Sequence, residues 1–434
     1  MDNTSQKIAG EIILSPNTVK IVTESIKSVP NYKKTISDAI KINTSEATEI
    51  IMGGAVILDA SDIHVEPQKT NAKIRLRLDG TLQDVGEIDS RTYKALLSRV
   101  KLLAGLKLNI NNRPQDGRFS ILIKGNTPVE VRTSSIPAEY GESIVLRILN
   151  PKSLIGIEEL GMRDDLLKIV EKEISRPNGM IIVTGPTGSG KTTTLYAILK
   201  KISQPEVKII TLEDPIEYHL DGISQTQVAP ERGYDFSNGL RAILRQDPDV
   251  ILVGEVRDLA TATNSLQAAL TGHLVLTTLH TNDAAGTIVR FQALGEKLAD
   301  IAPAINMAIA QRLIRRVCPY CRIMATPTSD ELVVIEKALA NVPKTIAYLL
   351  PDTTIAHNKG CEECNFTGYK SRIGIFEAFL VDEDMERFIL SGPSVSDLRR
   401  KAVENGMITM YQDGIIKVLK GETTIAEVEK VAEP

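Results

Sequence analysis

Residues 180–192, Met-Ile-Ile-Val-Thr-Gly-Pro-Thr-Gly-Ser-Gly-Lys-Thr, decide the fold of this chain. A short apolar run leads directly into the pattern G-x-x-x-x-G-K-[ST], which forms a phosphate-binding loop between a β-strand and an α-helix. The glycines let successive backbone N–H groups face a phosphate at the positive end of the helix. A glycine-rich turn without a ligand is the alternative, but the complete pattern after a predicted strand favours a nucleotide site.

The loop also supplies side chains for a nucleotide and its metal ion. Lys191 can reach the β- and γ-phosphates, and the Thr192 hydroxyl is placed to bind Mg²⁺. We therefore expect ATP and Mg²⁺ as ligands. The predicted nucleotide contacts are Gly185, Pro186, Thr187, Gly188, Ser189, Gly190, Lys191, Thr192 and Thr193.

An alternation of strand, loop and helix continues after this loop. Helical segments separate short apolar runs that are nearly continuous, which is typical of strands buried on both faces. The sequence therefore predicts an α/β fold with a mostly parallel sheet and helices on both sides. The apolar runs are Met180–Val183, Ile209–Leu212, Val250–Val253 and Leu274–Leu276.

Acidic residues follow two of these strands, at the edge of the sheet where ligands collect in open α/β folds. One group is Glu213, Asp214 and Glu217. After the other strand, Gly254 occupies the position where an Asp commonly supports Mg²⁺, and Glu255 comes next. We predict that Glu255 polarises the attacking water, because an acid close to phosphate is otherwise unfavourable. A solvated carboxylate after a strand is the alternative.

Histidines and arginines provide further candidates. His280 lies beyond the end of a predicted strand, close to the phosphates, whereas His273 precedes that strand and is expected to be structural or interfacial. A guanidinium group can stabilise the charge of a transferred phosphoryl group. A surface ion pair is the alternative for each arginine. The candidates are Arg113, Arg118, Arg132, Arg147, Arg241 and Arg245.

The four cysteines form two C-x-x-C pairs, Cys318-Pro-Tyr-Cys321 and Cys361-Glu-Glu-Cys364. Each pair can present two thiolates to one tetrahedral ion, so together they predict a closed Cys₄ site for structural Zn²⁺. Such a site has no open coordination position and therefore no direct catalytic role. Buried free thiols or a redox pair are the alternatives.

The composition is that of a globular protein. The 434 residues are enough for about three domains, charged residues make up 24%, and the formal net charge is −4. This balance fits neither a polybasic nucleic-acid binder nor a disordered acidic chain. Uninterrupted apolar stretches stay below the ~18 residues of a membrane span, and the start Met-Asp-Asn-Thr-Ser-Gln-Lys lacks the pattern of a signal peptide. We therefore expect a cytoplasmic protein.

Changes in pattern divide the chain into five segments. The first is polar, with one short helix that Pro30 is expected to end. The second alternates apolar and polar residues around the turn pair Asp79-Gly80, which is typical of a compact α+β domain. The predicted segments are 1–45, a short polar N-terminal segment; 46–150, the α+β domain; 151–317, the P-loop core; 318–371, a tetracysteine subdomain; and 372–434, a C-terminal helical region.

Several stretches together resemble one family. They are the phosphate loop, Thr211–Glu217, Leu244–Asp258, Thr271–His280 and the tetracysteine. From about residue 46 to its end, the chain resembles the secretion ATPases that assemble type IV pili or type II secretion pseudopili. Retraction ATPases of the same superfamily lack the tetracysteine, so the resemblance indicates an assembly or export motor.

The resemblance implies a homohexamer with a PAS-like N-terminal domain, a RecA-like core and a zinc-binding helical end. It also implies roles for individual residues. The implied roles are the Walker A loop at Gly185–Thr192 with Lys191, the Asp box at Glu213, Asp214 and Glu217, the catalytic acid at Glu255, the His box at His273 and His280, and nucleotide or interface contacts at Arg113, Arg118 and Arg132.

We therefore expect a Mg²⁺-dependent ATPase that drives pilin-like subunits out of the inner membrane. A platform protein would hold it on the cytoplasmic face of that membrane, without direct contact to nucleic acid. Two other functions stay open: a hexameric nucleic-acid motor whose zinc ribbon grips DNA, and a scaffold that binds ATP without turnover. The net charge and the acidic pair Glu362-Glu363 argue against the nucleic-acid motor. A pilus, a secretion system and a DNA-uptake pilus all fit as the machine served.

Overall fold

The computed structural model describes residues 10–123, 128–151, 154–346 and 352–433. The chain divides into two compact units. The first consists of Met1–Ser153, Cys318–Cys321 and Lys359–Ser371, and the second of Leu154–Val317, Arg322–Asn358 and Arg372–Pro434. Parts of the predicted segments lie outside the described residues, at 1–9, 124–127, 152–153, 347–351 and 434.

The first unit is built on a seven-stranded sheet with helices packed against it. The strand order is β1-β5-β6-β7-β2-β3-β4, in which β1 runs parallel to β5 and the other pairs are antiparallel. The elements are β1 (Gly10–Ile13), α1 (Pro16–Glu24), α2 (Val29–Ile42), α3 (Thr44–Ile57), β2 (Asp62–Pro67), β3 (Asn71–Leu78), β4 (Thr81–Asp89), α4 (Ser90–Leu103), β5 (Gln115–Leu122), β6 (Val129–Ala138) and β7 (Gly141–Leu149).

Residues before position 46 contribute to the core of this unit. Val22, Ile26 and Tyr32 are buried in the same hydrophobic cluster as Ile74 and Phe119 of the sheet. The structure thus differs from the predicted separate N-terminal segment. The reason is that a few apolar residues at helical spacing give a polar sequence one face that can be buried.

Two turn predictions in this unit had different outcomes. Asp79 and Gly80 connect β3 to β4 with φ angles of 47° and 82°, so the predicted hairpin turn is confirmed. Pro30, by contrast, lies in the first turn of α2 and does not end a helix. Proline fits there because its fixed φ is helical and the N–H that it lacks would have no partner in the helix.

The elements from residue 154 onward complete the fold. They are α5 (Asp164–Glu173), β8 (Gly179–Thr184), α6 (Lys191–Ile202), β9 (Ile209–Glu213), β10 (Ser224–Gln227), α7 (Phe236–Leu244), β11 (Val250–Val253), α8 (Leu259–Leu270), β12 (Leu274–Leu279), α9 (Gly286–Leu294), α10 (Leu298–Ile301), β13 (Ile305–Val317), β14 (Ile323–Ala325), α11 (Ser329–Leu339), β15 (Ile355–His357), β16 (Tyr369–Leu380), α12 (Glu383–Leu390), α13 (Val395–Glu404), α14 (Met410–Leu419) and α15 (Ile425–Glu429).

The second unit is built on a sheet in the order β10-β9-β11-β12-β8-β13-β16, and its pairs from β10 to β13 are parallel. Side chains of β8 alternate between two hydrophobic clusters, with Met180 and Ile182 in one and Ile181 and Val183 in the other. Both faces of this strand are therefore buried, as its continuous apolar run predicts. The predicted α/β fold with a mostly parallel sheet is confirmed.

The C-terminal region is not helical from its start. Residues up to 380 belong to β16, which joins the core sheet next to β13. Ile375 and Phe376 of this strand are fully buried, in different hydrophobic clusters. Four helices, α12 to α15, follow in the described residues. In that same described part, we find no helix with the length and apolar character that a bilayer crossing needs.

Candidate functional site

The phosphate loop lies between β8 and α6. Gly185, Gly188 and Gly190 have φ angles of 149°, 80° and 89°, which residues with a Cβ rarely adopt. A Cβ on Gly190 would also come within 2.8 Å of the Gln311 Nε2 atom. The helix α6 begins at Lys191, so its unpaired N–H groups and positive dipole end face the loop. The backbone thus forms a cradle that fits a phosphate group.

The Lys191 side chain folds back over this loop. Its Nζ atom donates to the carbonyl oxygens of Gly185 at 2.8 Å and Pro186 at 3.2 Å. Burial lowers the pKa of Lys191, the negative charge of Glu255 opposes that shift, and the positive charge of Arg312 adds to it. A partly dehydrated ammonium beside a second cation favours an anionic ligand.

Glu255 is the second residue after β11, and its side chain is 12% exposed. Its Oε1 atom is 2.6 Å from Arg257 Nη2, and its Oε2 atom is 3.4 Å from His280 Nε2. The strands β11 and β12 are adjacent and parallel, which brings together the residues that follow their C-terminal ends. The predicted acid and the predicted histidine are therefore neighbours.

Threonine hydroxyls fix the positions of these strand ends. Thr278 Oγ1 donates to the carbonyl oxygen of Gly254 at 2.7 Å, and the Val256 N–H donates to the Thr278 carbonyl at 3.2 Å. Thr184, the last residue of β8, accepts a hydrogen bond from the Thr281 N–H at 2.9 Å. These bonds tie the segments that carry the phosphate loop, Glu255 and His280 to one another.

Glu213 is buried at the end of β9, with an exposed fraction of 4%. Tyr196 Oη donates to Oε2, while Thr211 Oγ1 and Gln225 Nε2 donate to Oε1 at 2.6 and 3.2 Å. Burial raises the pKa of Glu213, and these hydrogen bonds oppose the shift. The contacts connect β9 to α6 and β10. A direct catalytic role for Glu213 stays a prediction.

The other members of the predicted Asp and His boxes lie in different surroundings. Asp214 is exposed, and Glu217 is half-buried. His273 precedes β12, where its Nδ1 atom is 3.1 Å from the carbonyl oxygen of Ala268 near the end of α8. Of the two histidines, His280 is the one that contacts Glu255.

The arginines predicted to contact nucleotide belong to the first unit. Arg118 on β5 is directly opposite Arg132 on β6, which is directly opposite Arg147 on β7. Like charges on opposite residues repel, and Glu130, at 3.7 Å from Arg118, offsets part of that charge. Arg113 is exposed in the loop before β5. Arg147 Nε is likewise 3.2 Å from Asp62 Oδ1, so acidic neighbours within the unit offset part of the charge of this row.

One cation at the phosphate loop is not evident from the sequence. Arg312 lies on β13, which pairs with β8. Its Nη1 atom is 3.2 Å from the position that a Cβ on Gly185 would occupy. The only signal that could have located it is the pairing of β13 with β8, and that pairing is a property of the folded chain.

The four cysteines form one cluster, with all Sγ atoms within 4.8 Å of one another. The Sγ–Sγ distances are 3.9 Å for Cys318–Cys361 and 3.8 Å for both Cys321–Cys364 and Cys361–Cys364. A tetrahedral Zn²⁺ ion with Zn–S bonds of about 2.3 Å has S–S edges of about 3.8 Å. The residues present therefore fit a structural Zn²⁺ ion.

The cluster belongs to the first unit, with the N-terminal residues. Gly368 N–H donates to the Cys364 sulfur at 3.2 Å, which stabilises a thiolate ligand. The adjacent Asn365 Oδ1 accepts from the Val29 N–H of α2 at 2.6 Å. The predicted 318–371 segment is thus divided, because only residues 318–321 and 359–371 group with this unit.

Residues 38–430 match the family model described as "Type II/IV secretion system protein". The chain is 44% identical over 373 residues to the type II secretion system protein E of Dickeya dadantii, covering 86% of this chain and 72% of that protein. It is 41% identical over 375 residues to the type IV pilus assembly ATPase PilB of Thermus thermophilus. The match covers 86% of this chain but spans only 41% of that relative's length.

Two solved structures are also similar. The ATPase DotB of Legionella pneumophila superposes with a TM-score of 0.65 at 22% identity, covering 88% of this chain and 94% of that one, which shows a shared fold. The pilus retraction motor PilT with bound ADP gives a TM-score of 0.59 at 26% identity, covering 89% of this chain and 97% of that one.

Proposed function

Because the chain belongs to the type II/IV secretion system protein family, we propose that it is an ATP-hydrolysing motor that powers assembly of a type IV pilus or a type II secretion pseudopilus. The observation that carries this proposal is the contact between Glu255 and His280 beside a complete phosphate loop. A general base must be oriented at the reacting phosphate, and this contact supports that role because it restricts the orientation of the Glu255 carboxylate.

Each part of the site has a proposed task. The loop N–H groups and Lys191 bind and neutralise the phosphates of ATP. The Thr192 hydroxyl would hold Mg²⁺, and that ion would supply Lewis-acid polarisation of the phosphate oxygens. Glu255 orients and polarises the attacking water. Its contacts to Arg257 and His280 fix the carboxylate, and each oxygen keeps a further lone pair for that water.

The proposed assembly is a homohexamer with a RecA-like core and a PAS-like N-terminal domain. In this assembly Arg113, Arg118 and Arg132 contact the nucleotide or cross the subunit interface. Docking on the cytoplasmic face of the inner membrane goes through a platform protein. The Zn²⁺ ion in the cysteine cluster has a structural task.

Steady-state phosphate release from the purified chain with ATP and Mg²⁺ tests the enzymatic part. The wild type should hydrolyse ATP, and Lys191→Ala should lose about tenfold or more in ATP affinity, the size expected for hydrogen bonds to a charged group. Lys200→Ala, at an exposed position on the same helix, is the matched control. ATP binding without turnover would favour a scaffold. Stimulation by DNA would favour a nucleic-acid motor.

A further inference from the structure

Arg312 places a second cation at one particular end of the phosphate loop. Its Nη1 atom lies 3.2 Å from the Cβ position of Gly185, and Lys191 Nζ lies 2.8 Å from the carbonyl oxygen of the same glycine. In loops of this kind the lysine reaches the β- and γ-phosphates. Both cations are therefore at the end of the loop that receives the terminal phosphates.

The same guanidinium also contacts the segment that follows β12. Arg312 Nη2 donates to the carbonyl oxygen of Asn282 at 2.9 Å, and Nη1 donates to that of Gln311 at 3.1 Å. Asn282 is two residues beyond His280. One side chain thus lies beside the phosphate loop and is hydrogen-bonded to the segment that follows His280, the histidine that contacts Glu255.

The charge and geometry of this side chain suit a phosphate ligand. Burial lowers the pKa of Arg312, and the acids Glu377 and Asp283 oppose the shift. A guanidinium stays charged in proteins and has five N–H donors in a planar fork, so it can keep its carbonyl contacts and still bind phosphate oxygens. Repulsion between Arg312 and Lys191 is relieved when a phosphate lies beside both.

We propose that Arg312 contacts the terminal phosphate of ATP bound to its own subunit, and that it thereby distinguishes ATP from ADP. Through Asn282 it also links the presence of that phosphate to the position of the His280 segment. This inference rests on the proposed nucleotide function. Arg312 and the phosphate loop belong to the same unit, so the proposed contact lies within one subunit.

Equilibrium binding of two nucleotides tests the proposal. Displacement of a fluorescent ADP by Mg²⁺-AMP-PNP or by Mg²⁺-ADP gives both dissociation constants for the wild type, Arg312→Gln, Arg312→Lys and the exposed control Arg316→Gln. Arg312→Gln should weaken AMP-PNP binding about tenfold or more, which is about 1.4 kcal/mol, and ADP binding less than about threefold. Arg312→Lys should be intermediate, because it keeps the charge without the fork. The control should match the wild type.

Each other outcome overturns the proposal. Equal weakening of both nucleotides would mean that Arg312 only shapes the loop, and no weakening would mean that it makes no contact. If the wild type hydrolyses ATP and Arg312→Gln keeps the wild-type ratio of the AMP-PNP and ADP dissociation constants, this inference alone is refuted. A wild type that binds neither nucleotide would refute the proposed function as well. If Arg312→Gln does not fold, an unchanged preference in Arg312→Lys overturns the inference.

Discussion

The imidazole of His280 lies 3.4 Å from the carboxylate of Glu255. The two residues follow β12 and β11, adjacent parallel strands whose C-terminal ends reach the same edge of the sheet. Arg257 contacts the other oxygen of the carboxylate at 2.6 Å. Glu255 is therefore held at both oxygens, as an acid must be if it is to orient a water molecule.

Replacing Glu255 with Gln should abolish turnover and leave nucleotide binding intact. Gln has nearly the same shape but cannot accept a proton, and a general base contributes about 10²–10⁴-fold to the rate. We expect kcat to fall about 10²-fold or more, measured as phosphate release, with an ATP dissociation constant close to that of the wild type. Glu231→Gln, at an exposed position of the same unit, is the control. Normal hydrolysis by Glu255→Gln would refute the assignment.

Replacing His280 with Ala should lower kcat about tenfold or more without a comparable change in ATP affinity. The reason is that the imidazole Nε2 atom lies 3.4 Å from the Glu255 carboxylate and restricts its position, and a small displacement of a catalytic group lowers the rate. His219→Ala serves as the control because His219 is exposed and lies in the same unit. A variant with a lower melting temperature and unchanged kcat would show that the contact is only structural.

The phosphate loop and the strands around it could be predicted because their signals are local. An apolar run such as Met180–Val183 and a glycine pattern need no knowledge of the rest of the chain. Arg312 could not be predicted in the same way. Its place depends on which strands pair, and the pairing of β13 with β8 joins residues that are far apart in the sequence.

The borders between segments were harder to predict for a related reason. The four cysteines were recognisable from their spacing, and their clustering agrees with it. Their grouping with the N-terminal residues, however, involves contacts such as Asn365–Val29, which spacing does not reveal. The contribution of the N-terminal helices to the core was also difficult to predict, because buried residues such as Tyr32 lie in a sequence rich in polar residues.

The purified chain should hold one Zn²⁺ ion, and removing it should free the N-terminus of α2. Asn365, next to the ligand Cys364, accepts a hydrogen bond from the Val29 N–H at 2.6 Å. After treatment with a chelator, hydrogen exchange at residues 26–32 should become at least about tenfold faster, because local opening then releases this amide. Elemental analysis measures the zinc.

A variant that retains the ligands separates the ion from the contact. Asn365→Ala should speed exchange at residues 26–32 and keep its zinc, whereas the exposed Asn109→Ala in the same unit should change neither. Exchange that stays slow after complete zinc removal would contradict the role of the ion. Loss of zinc from Asn365→Ala would show that this residue acts on the cluster itself.

The buried Glu213 should make the folded chain less stable as the pH rises. Burial raises the pKa of Glu213 above its ordinary value of 4.5, against the hydrogen bonds from Thr211, Tyr196 and Gln225. The folded chain therefore binds this proton more tightly than the unfolded chain does. The resulting stabilisation is complete below the unfolded pKa and is lost as the pH rises through the folded one.

Thermal melting between about pH 4 and pH 8 checks this expectation. Glu213→Gln, which cannot ionise, should show a smaller decline in melting temperature with rising pH than the wild type. Tyr196→Phe removes a donor to the carboxylate and should move the decline to higher pH, because the ionised form loses a partner. The exposed Glu206→Gln should follow the wild type. Parallel curves of melting temperature against pH for the wild type and Glu213→Gln would show that Glu213 does not titrate differently in the folded chain. A lower kcat in a Glu213→Gln variant of unchanged stability would favour the catalytic role of Glu213.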